Sequence, residues 1–393
     1  MKVEQIYTIL NTVVGETLGK TDIVAEDLSN IVDIGREFIN NDALDKYVKS
    51  LINHIGKVVM VDRKYSGQAP SVMMDGWEYG SVCEKISMEL PDTVENPTWA
   101  LQNGQRVDQD IFHAPTVDVK FFNDKTTFEI DMSFAEKQVK QSFTNITQMN
   151  AFFSMIENRI QMRLTIDYEN LIMRTINNFI CATIHKDFGD AGIETDSKIK
   201  AVNLLHLYKA KHPEDTTITA DNCLVNTNFI KFASYMLMLY SDRLERASTL
   251  FNIGGKTRFT PKNLQHIVLL SEFAKSADVY LQSSTFHNEL TKLPKAETVT
   301  FWQGSGLNYD FANTSEIHAN IKDWEGGSLS GLEVVATGVI GVIFDRDALG
   351  VANIDRRVTS HYNAKGEFIN NFYKSDANYF NDYNENFVVF YVA

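Results

Sequence analysis

Between residues 77 and 185 a strand-rich excursion feeds directly into one very long amphipathic helix, and neither half suits a small compact domain. From Gly76 the stretch WEYGSVCEKISMEL alternates, with Val82, Glu84, Ile86, Met88 and Leu90 on one side and Cys83, Lys85, Ser87 and Glu89 on the other. That is the period of an extended strand. Pro91, Asn96, Pro97, Asn103 and Gly104 then interrupt regular structure around Trp99. A second extended run, 116–131, carries Val117, Val119, Phe121, Thr127 and Phe128, with an Asn123-Asp124 turn inside it. The pattern predicts a long hairpin with a polar tip. Two strands are marginal alone, so this hairpin must lie against another domain or another subunit.

A short helix is expected over 135–143, and Thr144 or Asn145 can cap the next. There Met149, Phe152, Phe153, Ile156, Ile160, Leu164, Tyr168, Leu171, Ile172, Ile176, Phe179 and Ile180 hold a single apolar face, with no Pro or Gly before Gly189. The spacing predicts one helix over 147–185, about 60 Å long. Glu157, Arg159, Arg163, Asp167, Glu169 and Arg174 form its opposite, solvated or inter-subunit side.

Around this stretch, 3–55 read as three short helices that cannot bury their faces on one another, and 57–63 as a strand before a turn at 65–70. Beyond it, 190–350 form a mixed α/β region. Helices are expected at 198–210, 228–246 and 274–282. Strands are expected from 223, at 266–270, and at 333–344 with breaks at Gly338 and Gly341. The tail from 356 alternates short strands with Asn, Gly and Asp turns and ends in a strand at 387–392.

Composition narrows the function classes. A chain of 393 residues, 44% hydrophobic and 22% charged, is globular and long enough for several cores. Cys83, Cys181 and Cys223 are too few and too widely spaced for a disulfide framework or thiolate zinc site, which favours reduced thiols. The start, MKVEQIYTIL, lacks the apolar core of a secretory signal, and no membrane-spanning run occurs, so a soluble, non-exported chain is expected. A net charge of −14 excludes whole-molecule attraction to nucleic acid. Large aromatics are abundant, 25 Phe and 15 Tyr, as extensive cores and interfaces require.

No catalytic constellation emerges, and neither a cofactor nor a metal site is expected. Gly254-Gly-Lys-Thr257 ends like a phosphate-binding loop, but Leu250 stands where the first glycine belongs and the preceding residues read as helix. Asp187-Phe-Gly189 matches a kinase metal motif in letters, without its companions. His206 and His212 sit on different helix faces, reading as surface or capping residues. Asp376, Asn378, Asn381 and Asp382 lack the glycine and glutamate of a calcium loop and read as turn residues.

The order of parts, together with DGWEYGSVCEKISMELP at 75–91, EIDMSFAEKQVKQSF at 129–143, GVIFDRDALGV at 341–351 and the terminal YNENFVVFYVA, resembles the major capsid proteins of tailed bacteriophages with the Hong Kong 97 fold. The resemblance implies an α+β fold divided as N-arm 1–65, extended loop and base 66–127, peripheral domain 128–185 with its spine helix, axial domain 186–352, a return to the peripheral domain at 353–386, and a terminal axial strand at 387–393. It implies hexameric and pentameric capsomers that close an icosahedral shell around double-stranded DNA without sequence-specific binding, and a portal protein. The subunit would be made in the host bacterial cytoplasm, with no membrane partner. Because arm and loop account for everything before the spine helix, no cleaved prodomain is expected and the scaffolding protein should be separate. The crosslinking residues known in part of the family have no match here, so covalent crosslinks are not expected. Trp77, Tyr79 and Trp99, large aromatics on a segment without a core of its own, are the expected assembly contacts. Alternatives are an encapsulin-like or other phage assembly protein, or a soluble enzyme binding a nucleotide at 254–260.

Overall fold

The computed structural model describes residues 64, 67, 69–74, 83–107, 109–135, 146–189, 192–283, 296–300, 302, 316–322 and 328–393. The chain divides into units Met1–Arg63 and Lys64–Ala393, and the described residues belong to the second. The short helices expected over 3–55, the strand at 57–63 and the helix at 135–143 with its following cap lie outside them, apart from Ala135, which ends a strand.

In chain order the strands are β1 (Met73–Met74), β2 (Cys83–Met88), β3 (Val117–Phe122), β4 (Lys125–Ala135), β5 (Ala201–Asn203), β6 (Gln265–Leu270), β7 (Glu297–Val299), β8 (Ile317–Lys322), β9 (Ser328–Ala336), β10 (Val339–Asp345), β11 (Leu349–Asn363), β12 (Phe368–Asn381) and β13 (Phe387–Tyr391). The helices are α1 (Ile146–Phe188), α2 (Leu204–Lys211), α3 (Thr227–Leu244) and α4 (Ser271–Ser283). One sheet has the order β1-β11-β12-β4 and a second the order β5-β13-β10-β6-β7, while β2-β3 and β8-β9 form separate ribbons.

Helix α1 joins the two sheets, contacting β4, β11 and β12 of the first and β5 and β13 of the second. At 43 residues it is about 65 Å long. Gly189 ends it in the left-handed conformation (φ +71). The Asp187 carboxylate accepts the Lys200 and Ala201 amides at 3.1 and 3.0 Å, tying that end to β5. The apparent kinase motif is thus a helix terminus.

The single apolar face expected of α1 holds only for its first half. From Asn170 to Ile184 no residue is exposed, and those opposite the apolar stripe are buried too. Neighbours on several sides are the reason. Thr175 and Thr183 donate to the carbonyls of Leu171 and Phe179, at 2.8 and 2.9 Å, which satisfies their buried hydroxyls without outside partners. Asp167, expected on a solvated or inter-subunit side, is buried within its own subunit beside Arg163 at 3.1 Å, and burial raises its pKa.

The core centres on Phe179, stacked on Phe387 at 4.1 Å and edge-on to Tyr383 at 4.9 Å, with Phe344 against Phe387 at 5.5 Å. Such aromatic contacts add to the burial of their large apolar area. Gly338 separates β9 from β10 at φ +66, where a Cβ would meet the Val392 carbonyl at 2.2 Å. Only glycine fits.

Four further expectations need correction. Helix 198–210 starts instead at Leu204, because Ala201–Asn203 pair with Val389–Tyr391 and the Asn203 side chain caps the Leu205 and His206 amides. The strand expected from Cys223 is a single 3-10 turn, held between the Asn222 side chain, which bonds Thr217 and Thr219, and the Asn226 cap of α3. The run 116–131 divides at Asn123-Asp124, its second half leaving the hairpin to pair with β12. The tail forms two long strands rather than short ones, and Asp376, Asn378 and Asn381 lie in β12, not in turns. Cross-strand partners account for this, Thr127 donating to Asp376 at 2.7 Å and Ser133 to Asn370 at 2.5 Å. Among the described residues no helix is long and apolar enough to cross a membrane.

Candidate assembly interface

In an ordinary half-buried ribbon the apolar face turns home. Strands β2 and β3 do the reverse. Their register sets Ile86 opposite Val119 and Met88 opposite Val117, and these four, with Phe121 and Leu90, are exposed. The inward positions are Cys83, Lys85, Ser87, Asp118, Lys120 and Phe122.

Lys85 and Lys120 are directly paired across the ribbon, where like charges repel. Asp382 lies between them, its Oδ2 at 2.7 Å from Lys85 Nζ and its Oδ1 at 3.4 Å from Lys120 Nζ. Glu385 is 2.8 Å from Lys85 and 3.4 Å from Arg258, and the Asp347 carbonyl accepts from Lys85 at 3.2 Å. Lys256 pairs with Glu89 and lies 3.7 Å from Asp118, which also accepts from Asn384 at 3.4 Å. Four cations, Lys85, Lys120, Lys256 and Arg258, thus meet four carboxylates, Glu89, Asp118, Asp382 and Glu385. Burial opposes charge on both Lys85 and Asp382, but their mutual attraction, reinforced by Glu385 and Lys120 respectively, outweighs it: the lysine pKa is raised and the aspartate pKa lowered.

Two close-fitting loops supply the home side. Ile253 and Gly254 donate their amides to the Tyr383 carbonyl at 3.1 and 2.9 Å, and a Cβ at Gly254 would fall 2.0 Å from Asn384 Oδ1. Asn252 brackets the loop through both the amide and the carbonyl of Lys256. Tyr383 beneath is sealed in the core, where burial pushes its hydroxyl up to about 12. The residues preceding Gly254 are not the helix expected from sequence, since α3 ends at Leu244 and Ser248 bridges Arg258. Two carboxylates occupy the Lys256 ammonium and would repel a phosphate there.

The connection between the strands, Glu89 to Thr116, is exposed at every described position. A 3-10 turn, Thr98–Ala100, holds Trp99 fully exposed, and Val94, Leu101, Val107, Ile111 and Phe112 are exposed with it. Trp77 and Tyr79 lie outside the described residues. The sequence reading missed Lys85, Lys120, Lys256, Asp382 and Glu385, and the signal available was the Lys/Lys opposition, visible once the strands are registered. His206 and His212 are surface residues beside Asp196 and Glu214, at 3.7 and 3.1 Å.

Residues 8–391 match the family described as Phi29-like phage major capsid protein. Among solved structures, a chain in "Capsid structure of Staphylococcus phage Andhra" superposes with a TM-score of 0.52 at 8% identity, covering 86% of this chain and 87% of that one. A chain in "Structure of head fiber and inner core protein gp22 of native bacteriophage P68" does so with a TM-score of 0.54 at 7% identity, covering 86% and 88%. No curated protein matches the sequence. At such identities the likeness is one of fold, and it bears out the α+β capsid fold. With a family match running almost from end to end, the chain belongs to the Phi29-like phage major capsid proteins.

Proposed function

We propose that the subunit forms hexameric and pentameric capsomers of an icosahedral shell around double-stranded DNA, with its function residing in interfaces rather than in a reactive site. The observation that carries this reading is the inverted hairpin. A solvent-facing apolar ladder beside a loop with exposed apolar side chains is costly for a lone molecule and becomes favourable when a second copy covers it. The β2-β3 ribbon and its tip act as the extended loop. Helix α1 serves as the spine of a peripheral domain containing the β1-β11-β12-β4 sheet, and the β5-β13-β10-β6-β7 sheet forms the axial domain. Residues 1–65 act as the N-arm, and Trp77, Tyr79 and Trp99 contact neighbouring copies.

A separate scaffolding protein guides assembly in the host cytoplasm and a portal protein occupies one vertex. The acidic balance of −14 fits DNA confined by the shell rather than gripped by it. Co-expression with the scaffolding protein followed by electron microscopy tests the reading: closed shells are expected, and monomers alone in light scattering would refute it. Trp99→Ala should reduce shell yield while leaving the melting temperature of the free subunit unchanged. A lowered melting temperature would instead place Trp99 in the fold of its own subunit.

A further inference from the structure

The hairpin is held at home by a contact of unusual composition. From Lys85 outward to Glu89, the hydrogen-bond and ion-pair partners on the home side of the ribbon are Asp382, Glu385, Asn384, Lys256 and the Asp347 carbonyl. Its aromatic contact sits at the base, where Phe122 meets Phe380 at 5.0 Å. Directly after it comes Asn123-Asp124, the link to β4, anchored by the Tyr379 amide donating to the Asp124 carbonyl at 3.1 Å. Neither β2 nor β3 pairs with a third strand among the described residues. The ribbon is therefore fixed at one end by packing and along its length by ions.

We propose that the ion cluster is a salt-releasable latch setting the angle of the hairpin on its own subunit, so that screening the ions frees the arm to pivot at Phe122–Asn123. The inference rests on the reading of the hairpin as an assembly arm and names how that arm is regulated. Four charges of each sign balance within the cluster, and Asp345 lies close enough to feel the charge of Glu385. Release re-hydrates charges that were desolvated on docking, which offsets most of the lost attraction. A ribbon held by an apolar underside would respond to salt in the opposite sense, because hydrophobic contacts do not weaken by screening. The exposed ladder of Ile86, Met88, Val117, Val119 and Phe121 stays uncovered in either orientation, ready for a neighbour.

The test is a spin-label distance measurement on the full, unassembled chain, with labels at Met88→Cys on the outer end of β2 and Lys209→Cys on α2. Cys83→Ser removes the accessible native thiol, while Cys181 and Cys223 are buried with thiol pKa values pushed up by burial, so they stay unlabelled. At low ionic strength a single narrow distance is expected. At about 1 M salt, where the Debye length is about 3 Å, the distribution should broaden and shift while the helical circular dichroism is unchanged. The double variant Asp382→Asn, Glu385→Gln should show the broad distribution already at low salt. A distance that stays narrow in high salt overturns the latch, as does one that is broad from the start with the cluster intact. If the double variant does not fold, the salt titration alone decides. Ile86→Thr with Phe121→Thr tests the assembly reading separately, acting on shell formation with the distances unmoved.

Discussion

The outward ladder of the hairpin yields a quantitative prediction. Ile86 is 64% exposed, Phe121 66% and Val119 42%. Complete burial of such a side chain is worth about 1.5–3 kcal/mol. Scaling by the fraction still exposed, and allowing for the methyl that threonine keeps, the triple change Ile86→Thr, Val119→Thr, Phe121→Thr should forfeit about 2–3 kcal/mol per inter-subunit contact. That corresponds to an association constant weaker by roughly thirtyfold to 150-fold for each contact. Threonine is itself a β-branched strand former, so the ribbon is not penalised. The assay is the threshold concentration for shell formation by light scattering, run beside thermal melts of the unassembled subunit. The threshold should rise by at least an order of magnitude with the melting temperature unchanged. An unmoved threshold would refute the argument that the ladder is covered by another copy. A melting temperature several degrees lower would show that it packs on its own subunit instead.

Four further outcomes follow from the geometry. Gly338→Ala should cost at least about 2 kcal/mol in chemical denaturation, because alanine resists the left-handed conformation and its Cβ meets the Val392 carbonyl. Gly104→Ala, at φ +85 but with nothing within 4 Å, should cost far less. Asp382 has a lowered pKa in the folded chain, so its contribution is present above the ordinary carboxylate value near 4 and is lost as pH falls through the lowered one. Asp382→Asn should therefore be less stable than the parent at neutral pH and converge with it in acid. Lys85 is the mirror case, its contribution present below 10.5 and lost as pH rises through the raised folded value, so Lys85→Met should converge with the parent in strong alkali. Lys256→Ala should alter the hairpin and not nucleotide affinity: the parent should show no thermal shift with any nucleotide, and a saturable shift abolished by the substitution would reverse the assignment of that loop.

Much of the architecture was written in patterns that depend on local chemistry. Helix α1 was legible because no Pro or Gly falls within it and Gly189 follows it. The strands β6 and β13 were legible as short apolar runs between turn residues. Misreadings came where distant partners decide. Asp376 and Asn370 are poor strand formers by themselves, and Thr127 and Ser133 on β4 make them strand residues. Ala201 and Val202 fit a helix until β13, almost two hundred residues later, pairs with them.

The hairpin shows why the sign of a face is harder to read than its existence. Alternation in 82–90 states that two faces differ, and a one-residue shift would exchange them, but nothing within the alternation says which face turns home. The usual assignment puts Ile86 and Met88 inward. Here the home surface is Asp382, Glu385 and the Lys256 loop, so Lys85 and Lys120 turn inward and the apolar side is left outside. That choice depends on residues some 300 positions away along the chain. Three of the four stretches carrying the family resemblance have parts that meet at this cluster: EKISMEL at 84–90, DRDALG at 345–350 and YNEN at 383–386, with Lys85 Nζ reaching both the Asp347 carbonyl and Glu385. If the hairpin and the 382–386 turn form one device, exchanging a pair across it should preserve it. Lys85→Glu alone sets like charges against Asp382 and Glu385 and should lower the stability of the subunit. Adding Asp382→Lys and Glu385→Lys should recover part of that loss. Losses that simply add, with no recovery in the combined variant, would mean that the hairpin and the turn act independently.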